Sequence, residues 1–404
     1  MKRSLARTSA LALAFASLGG LCASACADSE VAPPMSSHVD AGDAASPNNT
    51  SDAAESMPEA SIDAGPRVCS YHGFCPTTLP AAQTLVSVWG DGTGVAWAVS
   101  TEGNVLRWDG SQWMVHASKL GPLAAVWGSG PTDVWIGGEN GLHHGTGSSS
   151  AALTFTTVRL ADTPTRIASI WGLSSSDIWA VGTMDDPDTG RLVGGAFHFT
   201  AGSWALVPVS SEIGAYSHVW GSAGSGVWLA GQRPMPDAPW LMELVVLRKS
   251  GGDDFTDIAL PADPHIPPPI GAPGSLRGGA AVSDTSIWLH GASAGSWPIT
   301  WRGTSTDNGK TFTFTAERDG TPNAPQINAL FGTSANDVWT VGDYGQVRHW
   351  NGTKWAGTAI TTTDLPVINP FFAVWARPSS EVWLVGKDIA LRYDPAHEKD
   401  GGVQ

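Results

Sequence analysis

The feature that most constrains the fold of this chain is a pair of aromatic residues, eight positions apart, that recurs along most of its length. The complete pairs are Trp89 with Trp97, Trp127 with Trp135, Trp171 with Trp179, Trp220 with Trp228, Phe331 with Trp339, and Trp375 with Trp383. A seventh copy is degraded, with Ala280 in the first position and Trp288 in the second. Successive copies begin 38 to 60 residues apart, a period typical of supersecondary units that bury their apolar faces only by stacking on their neighbours.

The repeat that begins near residue 329 shows what each unit contains. Apolar segments at 329–332 and 338–341 are separated by a polar turn, and a third segment alternates over 346–350. Asn351-Gly352 is a strong hairpin signal, and Trp355 then opens a fourth segment. Seven units of four strands predict an all-β chain folded as a seven-bladed β-propeller. The 48 glycines, 28 prolines and 15% charged residues agree with a turn-rich β protein.

The seventh repeat lacks a fourth strand, because only a polar tail follows its third strand at 389–393. In most other repeats an aromatic residue opens the fourth strand 14 to 20 positions before the next repeat, and Phe74 lies 15 positions before Trp89. We therefore expect residues 73–79 to supply the missing strand and to close the ring, which removes free sheet edges. The predicted propeller spans 67–397, followed by a polar tail at 398–404.

The N-terminus has the pattern of an export signal. Lys2, Arg3 and Arg7 precede an apolar run at 9–21, which is too short to span a bilayer and fits the core of a signal peptide over 1–25. Residues 26–66 carry eight acidic side chains and no Lys, Arg, Phe, Tyr or Trp. They are predicted to form a disordered tether.

The end of the signal, Ala23-Ser24-Ala25-Cys26, resembles the bacterial lipobox. This resemblance implies that Cys26 is acylated and anchors the chain, and Ala27 in the place of Asp implies the outer membrane. Simple secretion is the alternative. If Cys22 leaves with the signal and Cys26 carries lipid, Cys69 and Cys75 remain as a pair in an oxidising compartment, and we expect a disulfide. A metal site and free thiols are the alternatives.

The net charge of −15 excludes classes of partner. Proteins that bind nucleic acid neutralise phosphates with a basic surface, so no nucleic acid is expected. No basic cluster follows the signal, so the lipid should be the only contact with a membrane.

The tryptophans of the repeat are expected to be core residues. An aromatic platform for a sugar is expected only among the tryptophans outside the pattern, chiefly Trp240 and Trp297. Asp133, Asp177, Asp337 and Glu381 precede second-position tryptophans by two residues, and we expect them to accept backbone N–H groups in turns. His143-His144 could bind metal weakly, but a solvated turn or strand end is favoured.

Residues 305–312 carry a motif that resembles the Asp-box of sialidase-like propellers, on Ser305, Asp307, Gly309 and Phe312. The repeats over 84–394 also resemble those of myxobacterial propeller lipoproteins. The Asp-box resemblance implies a structural turn between third and fourth strands, away from any active site.

The sequence contains no recognised catalytic motif, and the arginine cluster and Phe/Tyr-Arg-Ile-Pro motif of sialidases are missing. We expect no enzymatic activity, cofactor or resident metal. Longer connections at 183–194, 232–240 and 261–276 indicate a binding platform on one face; tolerated surface insertions are the alternative. The candidate ligand-binding residues are Asp185, Asp188, Arg191, Arg233, Trp240, His265 and Trp297. The predicted function is an envelope-anchored binding or scaffold module for a protein or glycan; the alternative is a glycoside hydrolase or polysaccharide lyase on the same fold.

Overall fold

A computed structural model describes residues 67–399 of the chain, apart from 211, 253, 322–323 and 378–380. The predicted signal peptide, Cys26 and the tether lie outside the described residues. Among the residues that are described, no helix has the length and apolarity needed to cross a membrane.

The described residues form 28 strands in seven antiparallel sheets, which we call blades. The first strand of the chain is β1 (His72–Pro76). Blade 1 comprises β2 (Leu85–Gly90), β3 (Ala96–Ser100), β4 (Val105–Trp108) and β5 (Trp113–Ala117); blade 2 comprises β6 (Leu123–Gly130), β7 (Asp133–Gly138), β8 (Gly141–Thr146) and β9 (Thr154–Val158). Blade 3 comprises β10 (Thr165–Ser174), β11 (Asp177–Asp185), β12 (Leu192–Thr200) and β13 (Ser203–Leu206); blade 4 comprises β14 (Ala215–Ser222), β15 (Gly226–Met235), β16 (Ala238–Lys249) and β17 (Thr256–Ile258). Blade 5 comprises β18 (Pro273–Ser283), β19 (Ser286–Ser293), β20 (Pro298–Thr304) and β21 (Thr313–Arg318); blade 6 comprises β22 (Ile327–Ser334), β23 (Asp337–Gly342), β24 (Val347–Trp350) and β25 (Trp355–Thr358). Blade 7 comprises β26 (Phe371–Arg377), β27 (Glu381–Gly386) and β28 (Ile389–Glu398), with β1 as its fourth strand.

The blades form a closed ring around their first strands. Each first strand contacts the first strand of the next blade, and β26 contacts β2 to join the last blade to the first. The predicted all-β, seven-bladed propeller is therefore confirmed. Because strands alternate in direction, the second-to-third connections and the crossings between blades share one face, which we call the loop face. The first-to-second and third-to-fourth turns lie on the opposite face, the turn face.

The N-terminal segment completes blade 7, as predicted. Strand β1 pairs with β28, with Phe74 opposite Tyr393 and Pro76 opposite Leu391, and the Phe74 side chain is 2% exposed. The paired segment is shorter than the predicted 73–79, whereas β28 runs to Glu398, five residues beyond the predicted third strand and one into the predicted tail. The Cys69 and Cys75 sulfurs are bonded at 2.06 Å, so the predicted disulfide is present.

The paired aromatic positions lie directly opposite each other on the first two strands of every blade. All seven second-position tryptophans are buried. The first-position rings reach the next blade, which explains the glycine that follows them: a Cβ on Gly128 would lie 2.6 Å from the Trp89 ring, and one on Gly90 would lie 2.5 Å from Trp375. The second-position tryptophans are thus core residues, as predicted. In the first position Trp220 is buried, but the other four tryptophans are half-buried and pack against the edges of the core clusters.

The fourth strand of each blade covers the second-position tryptophan of the preceding blade. In the seam between blades 7 and 1, the Trp113 and Trp383 ring centroids lie 5.2 Å apart. In the seam between blades 6 and 7, Phe74 covers Trp339, and their ring centroids lie 6.0 Å apart. These edge-to-face contacts stabilise each seam beyond the area that they bury.

The carboxylates before the second tryptophans bind side chains, which corrects the prediction that they accept backbone N–H groups. Asp337 accepts hydrogen bonds from Trp339 Nε1 at 2.9 Å, from His349 Nε2 at 2.7 Å, and from the Thr333 hydroxyl. The His349 ring stacks on Trp339 with a centroid separation of 3.9 Å. Blade 2 repeats this network with Asp133, Trp135, His144 and Ser129.

His143 and His144 lie within β8 and not in a turn or at a strand end, which is a second correction. His144 faces Trp135 across the strands, and the same third-strand position carries a cationic or imidazole side chain in all seven blades. The residues at this position are Arg107, His144, His198, Arg248, Arg302, His349 and Arg392. The three histidines occur in the blades that carry Asp133, Asp177 and Asp337.

Residues 305–312 form the turn between β20 and β21, where the motif predicted it. The Ser305 hydroxyl accepts the Gly309 N–H at 2.9 Å, and the N–H and hydroxyl of Thr311 donate to Asp307. These Thr311 bonds hold the pKa of Asp307 well below its ordinary value. Arg248 of blade 4 donates to the carbonyls of Gly309 and Lys310 and lies 4.9 Å from the Phe312 ring. The turn therefore fastens blade 5 to blade 4.

Candidate binding site

The longer connections predicted on the loop face are mostly extended hairpins. In blade 4 the second and third strands continue until Met235 pairs with Ala238, which leaves a two-residue tip. In blade 3 they continue until Asp185 pairs with Leu192. The crossing from blade 4 to blade 5 remains irregular over 259–272. Two hairpins and one irregular crossing therefore project from neighbouring blades on this face.

Large apolar side chains are exposed mainly on the loop face. Trp240 is 79% exposed, Tyr344 73% and Ile368 71%. The exposed apolar residues of this face are Leu192, Leu206, Trp240, Met242, Ile270, Tyr344, Leu365 and Ile368. Among the described residues of the turn face, Tyr71 and Leu173 are large apolar side chains exposed to a similar degree as Met242. Exposed apolar side chains on one face are a mark of an interaction surface.

Arg233 of the blade 4 hairpin is held by three carboxylates. Its guanidinium lies 2.5 Å from Glu243, 3.4 Å from Glu212 and 3.5 Å from Asp257. The hydrogen bond to Glu243, with the nearby negative charges, raises the pKa of Arg233. Trp240 lies on the same hairpin and is exposed to solvent. The hairpin therefore presents an exposed aromatic ring to a partner, whereas the charge of Arg233 is neutralised by its carboxylates.

Trp297 and His265 are brought together through Arg318 and Asp263. The Arg318 guanidinium lies 4.2 Å from the centroid of the Trp297 ring and donates two hydrogen bonds to Asp263, at 2.9 and 3.0 Å. Asp263 also accepts the His265 N–H at 2.7 Å. Burial raises the pKa of Asp263, but the Arg318 and His265 hydrogen bonds outweigh this and leave it lowered. This arrangement anchors the blade 4–5 crossing.

The acidic turn of blade 3 is organised by Asp186, which the sequence prediction did not select. Its Oδ1 accepts the N–H groups of Asp188 and Thr189 and the Thr189 hydroxyl. Asp185 lies 3.6 Å from Arg166, while Asp188 and Arg191 are exposed. Across the described part of the chain, three metal-ligating side chains come together only at Cys69, Cys75 and His397, where both sulfurs are disulfide-bonded.

A buried polar chain between blades 5 and 6 was also missed. His290 Nδ1 lies 2.9 Å from the Thr300 hydroxyl, which donates to Asp319 at 3.3 Å, and Asp319 accepts from Arg348 at 2.6 Å. Burial lowers the pKa of His290 to about 4. The other blades carry Val, Gly or Ala at the position of His290. A histidine at a repeat position that is otherwise apolar or glycine could therefore have indicated a buried polar contact in the sequence.

No protein-family model matches the chain, and no curated protein matches it in sequence. Solved structures do resemble it in fold. YCF48 bound to D1 peptide superposes with a TM-score of 0.56 at 15% identity, over 81% of this chain and 99% of that one. Virginiamycin B lyase from Staphylococcus aureus gives 0.54 at 13%, over 79% and 97%, and the RRP9 WD40 repeats give 0.57 at 8%, over 81% and 99%. At these identities the similarity establishes a shared propeller fold.

Proposed function

We propose that this chain is an envelope-anchored lipoprotein whose propeller binds a protein partner on its loop face, without enzymatic activity. The observation that carries the proposal is the concentration of exposed Trp240, Tyr344 and Ile368 on one face of the ring. Exposed aromatic residues supply much of the binding energy where proteins meet, because they bury a large area with little loss of conformational freedom.

The charged side chains of the loop face support binding over catalysis. Arg233 is neutralised by its three carboxylates, and Arg318 and Asp263 fix a crossing. A catalytic acid or base must be free to exchange a proton with a substrate, whereas these groups stabilise the platform. YCF48 with its bound D1 peptide gives an example of a propeller of similar fold that accepts a polypeptide.

A double variant tests the binding face. Trp240→Ala with Tyr344→Ala should reduce capture of the partner at least about tenfold, since loss of an aromatic residue that is a hot spot of an interface costs about 2 kcal/mol or more. Partner capture is measured by quantitative cross-linking and pull-down from extracts of the source cells. Both residues are exposed, so the unfolding midpoint should not change.

Met114→Ala with Val115→Ala is the matched control, because these apolar residues are also exposed but lie on the outer strand of blade 1. The control should capture the partner as the unchanged chain does. Equal capture by the two double variants, or loss of a glycan instead of a protein when Trp240 and Tyr344 are replaced, would contradict the proposal.

The anchor is tested separately. Cys26→Ser should move the protein from the membrane fraction to the soluble fraction, because it removes the acylated side chain and each buried CH₂ of a lipid contributes about 0.8 kcal/mol to membrane binding. Cys22→Ser is the control and should remain with the membranes. Membrane fractionation with immunoblotting gives the readout, and a Cys26→Ser protein that still sediments with membranes would rule out the anchor.

A further inference from the structure

The seam between blades 6 and 7 differs from the other seams because of how the ring closes. The fourth strand of blade 7 is β1, from the other end of the folded chain, so no turn joins it to β28. Every other blade has such a turn on the turn face. Within the described residues, the closing seam therefore has no turn between its third and fourth strands.

In two other seams this turn caps the third-strand cation of the preceding blade. The Ser150 hydroxyl of blade 2 accepts a hydrogen bond from Arg107 Nη2 at 2.9 Å. The Gly309 and Lys310 carbonyls of blade 5 accept from Arg248. In these two seams, hydroxyl or carbonyl oxygens of the turn therefore occupy the space beside the third-strand arginine.

In the closing seam the same place is a cavity of about 300 Å³. His349, the counterpart of Arg107 and Arg248, lines it, and Phe74, Trp339 and Val382 form its apolar part. The volume is at the lower end of the range for small-molecule sites.

Hydrogen-bond donors border the cavity. Asn336 and Arg377 line it and are exposed. Arg377 donates to the Gly92 carbonyl and forms no ion pair with a carboxylate among the described residues. His72 Nδ1 is buried and has no hydrogen-bond partner within the described chain. A buried polar atom without a partner is destabilising, and a ligand that bonds to it removes this cost.

We propose that this cavity binds one pyranose unit of a saccharide. A pyranose offers hydroxyl groups to the polar side chains at the rim of the cavity, and its C–H surface suits the apolar side formed by Phe74 and Trp339. His349 already donates from Nε2 to Asp337, so the proposal rests on the rim donors and on His72. The planar donors Asn336 and Arg377 match neighbouring hydroxyls. This site is on the turn face, so it does not depend on the protein partner proposed for the loop face.

Ligand-observed saturation-transfer NMR on the full-length chain tests the site, with the methyl glycosides of glucose, galactose, mannose and N-acetylglucosamine as probes. At least one should receive saturation, and Asn336→Trp, which obstructs the cavity, should weaken its binding at least about tenfold. Asn336→Ala removes the amide without adding bulk and should weaken binding by about threefold.

Ser176→Trp is the matched control, since Ser176 is exposed at the same repeat position in blade 3, away from the cavity. It should bind the probe as the unchanged chain does. The proposal is overturned if no glycoside receives saturation, if Asn336→Trp retains the affinity, or if the two tryptophan variants lose it equally.

Discussion

Replacing Phe74 by alanine should lower the free energy of unfolding by about 3–5 kcal/mol, the usual cost of truncating a buried aromatic residue. Phe74 is 2% exposed and packs on Trp339 of blade 6 and on Tyr393 of its own blade. Its loss leaves a space in the one blade whose strands come from both ends of the folded chain. Urea unfolding followed by tryptophan fluorescence gives the measurement.

Val68→Ala is the control for this experiment. Val68 belongs to the same N-terminal segment but is 56% exposed, so its truncation should change stability by less than about 0.5 kcal/mol. If Phe74→Ala unfolds at the same urea concentration as Val68→Ala, strand β1 does not contribute to closing the ring.

Closure of the ring could be predicted from the sequence because it depends on spacing. The distance from Phe74 to Trp89 matches the distance from other fourth-strand aromatics to the next repeat, and equivalent positions in a ring must have equivalent neighbours. Strand lengths could not be predicted in the same way. The last residues of β28 are polar, so their composition did not distinguish strand from tail.

The surroundings of the candidate residues could not be predicted, because they depend on contacts between distant parts of the chain. Arg318 reaches Asp263 across 55 residues, and Arg248 reaches the 305–312 turn across more than 60. By contrast, the pairing of Asp337 with His349 had a signal in the sequence. Aspartate before the second tryptophan occurs together with a third-strand histidine in blades 2, 3 and 6, and this was visible once third strands were aligned.

Asp337→Ala should destabilise the protein by about 3 kcal/mol, because it removes the acceptor for Trp339 Nε1, His349 Nε2 and the Thr333 hydroxyl together. Asp177→Ala is the internal control. Asp177 is more exposed than Asp337, and within the described part of the chain its carboxylate accepts one hydrogen bond, from His198 at 2.8 Å. That substitution should therefore cost about 1 kcal/mol. Urea unfolding at pH 7 measures both.

The free energy of unfolding, measured as the pH is lowered, distinguishes hydrogen bonding by the Asp337 carboxylate from simple packing of its side chain. Burial raises the pKa of Asp337, but the bonds from His349 and Thr333 outweigh it, so the folded pKa lies below the unfolded value of about 3.9. The carboxylate then contributes stability that is complete above pH 5 and is lost as the pH falls through the folded pKa. The unchanged chain should lose stability below about pH 4 more steeply than Asp337→Ala does. Parallel losses of stability at low pH, or equal costs for Asp337→Ala and Asp177→Ala, would show that the network does not hold the carboxylate in its charged form.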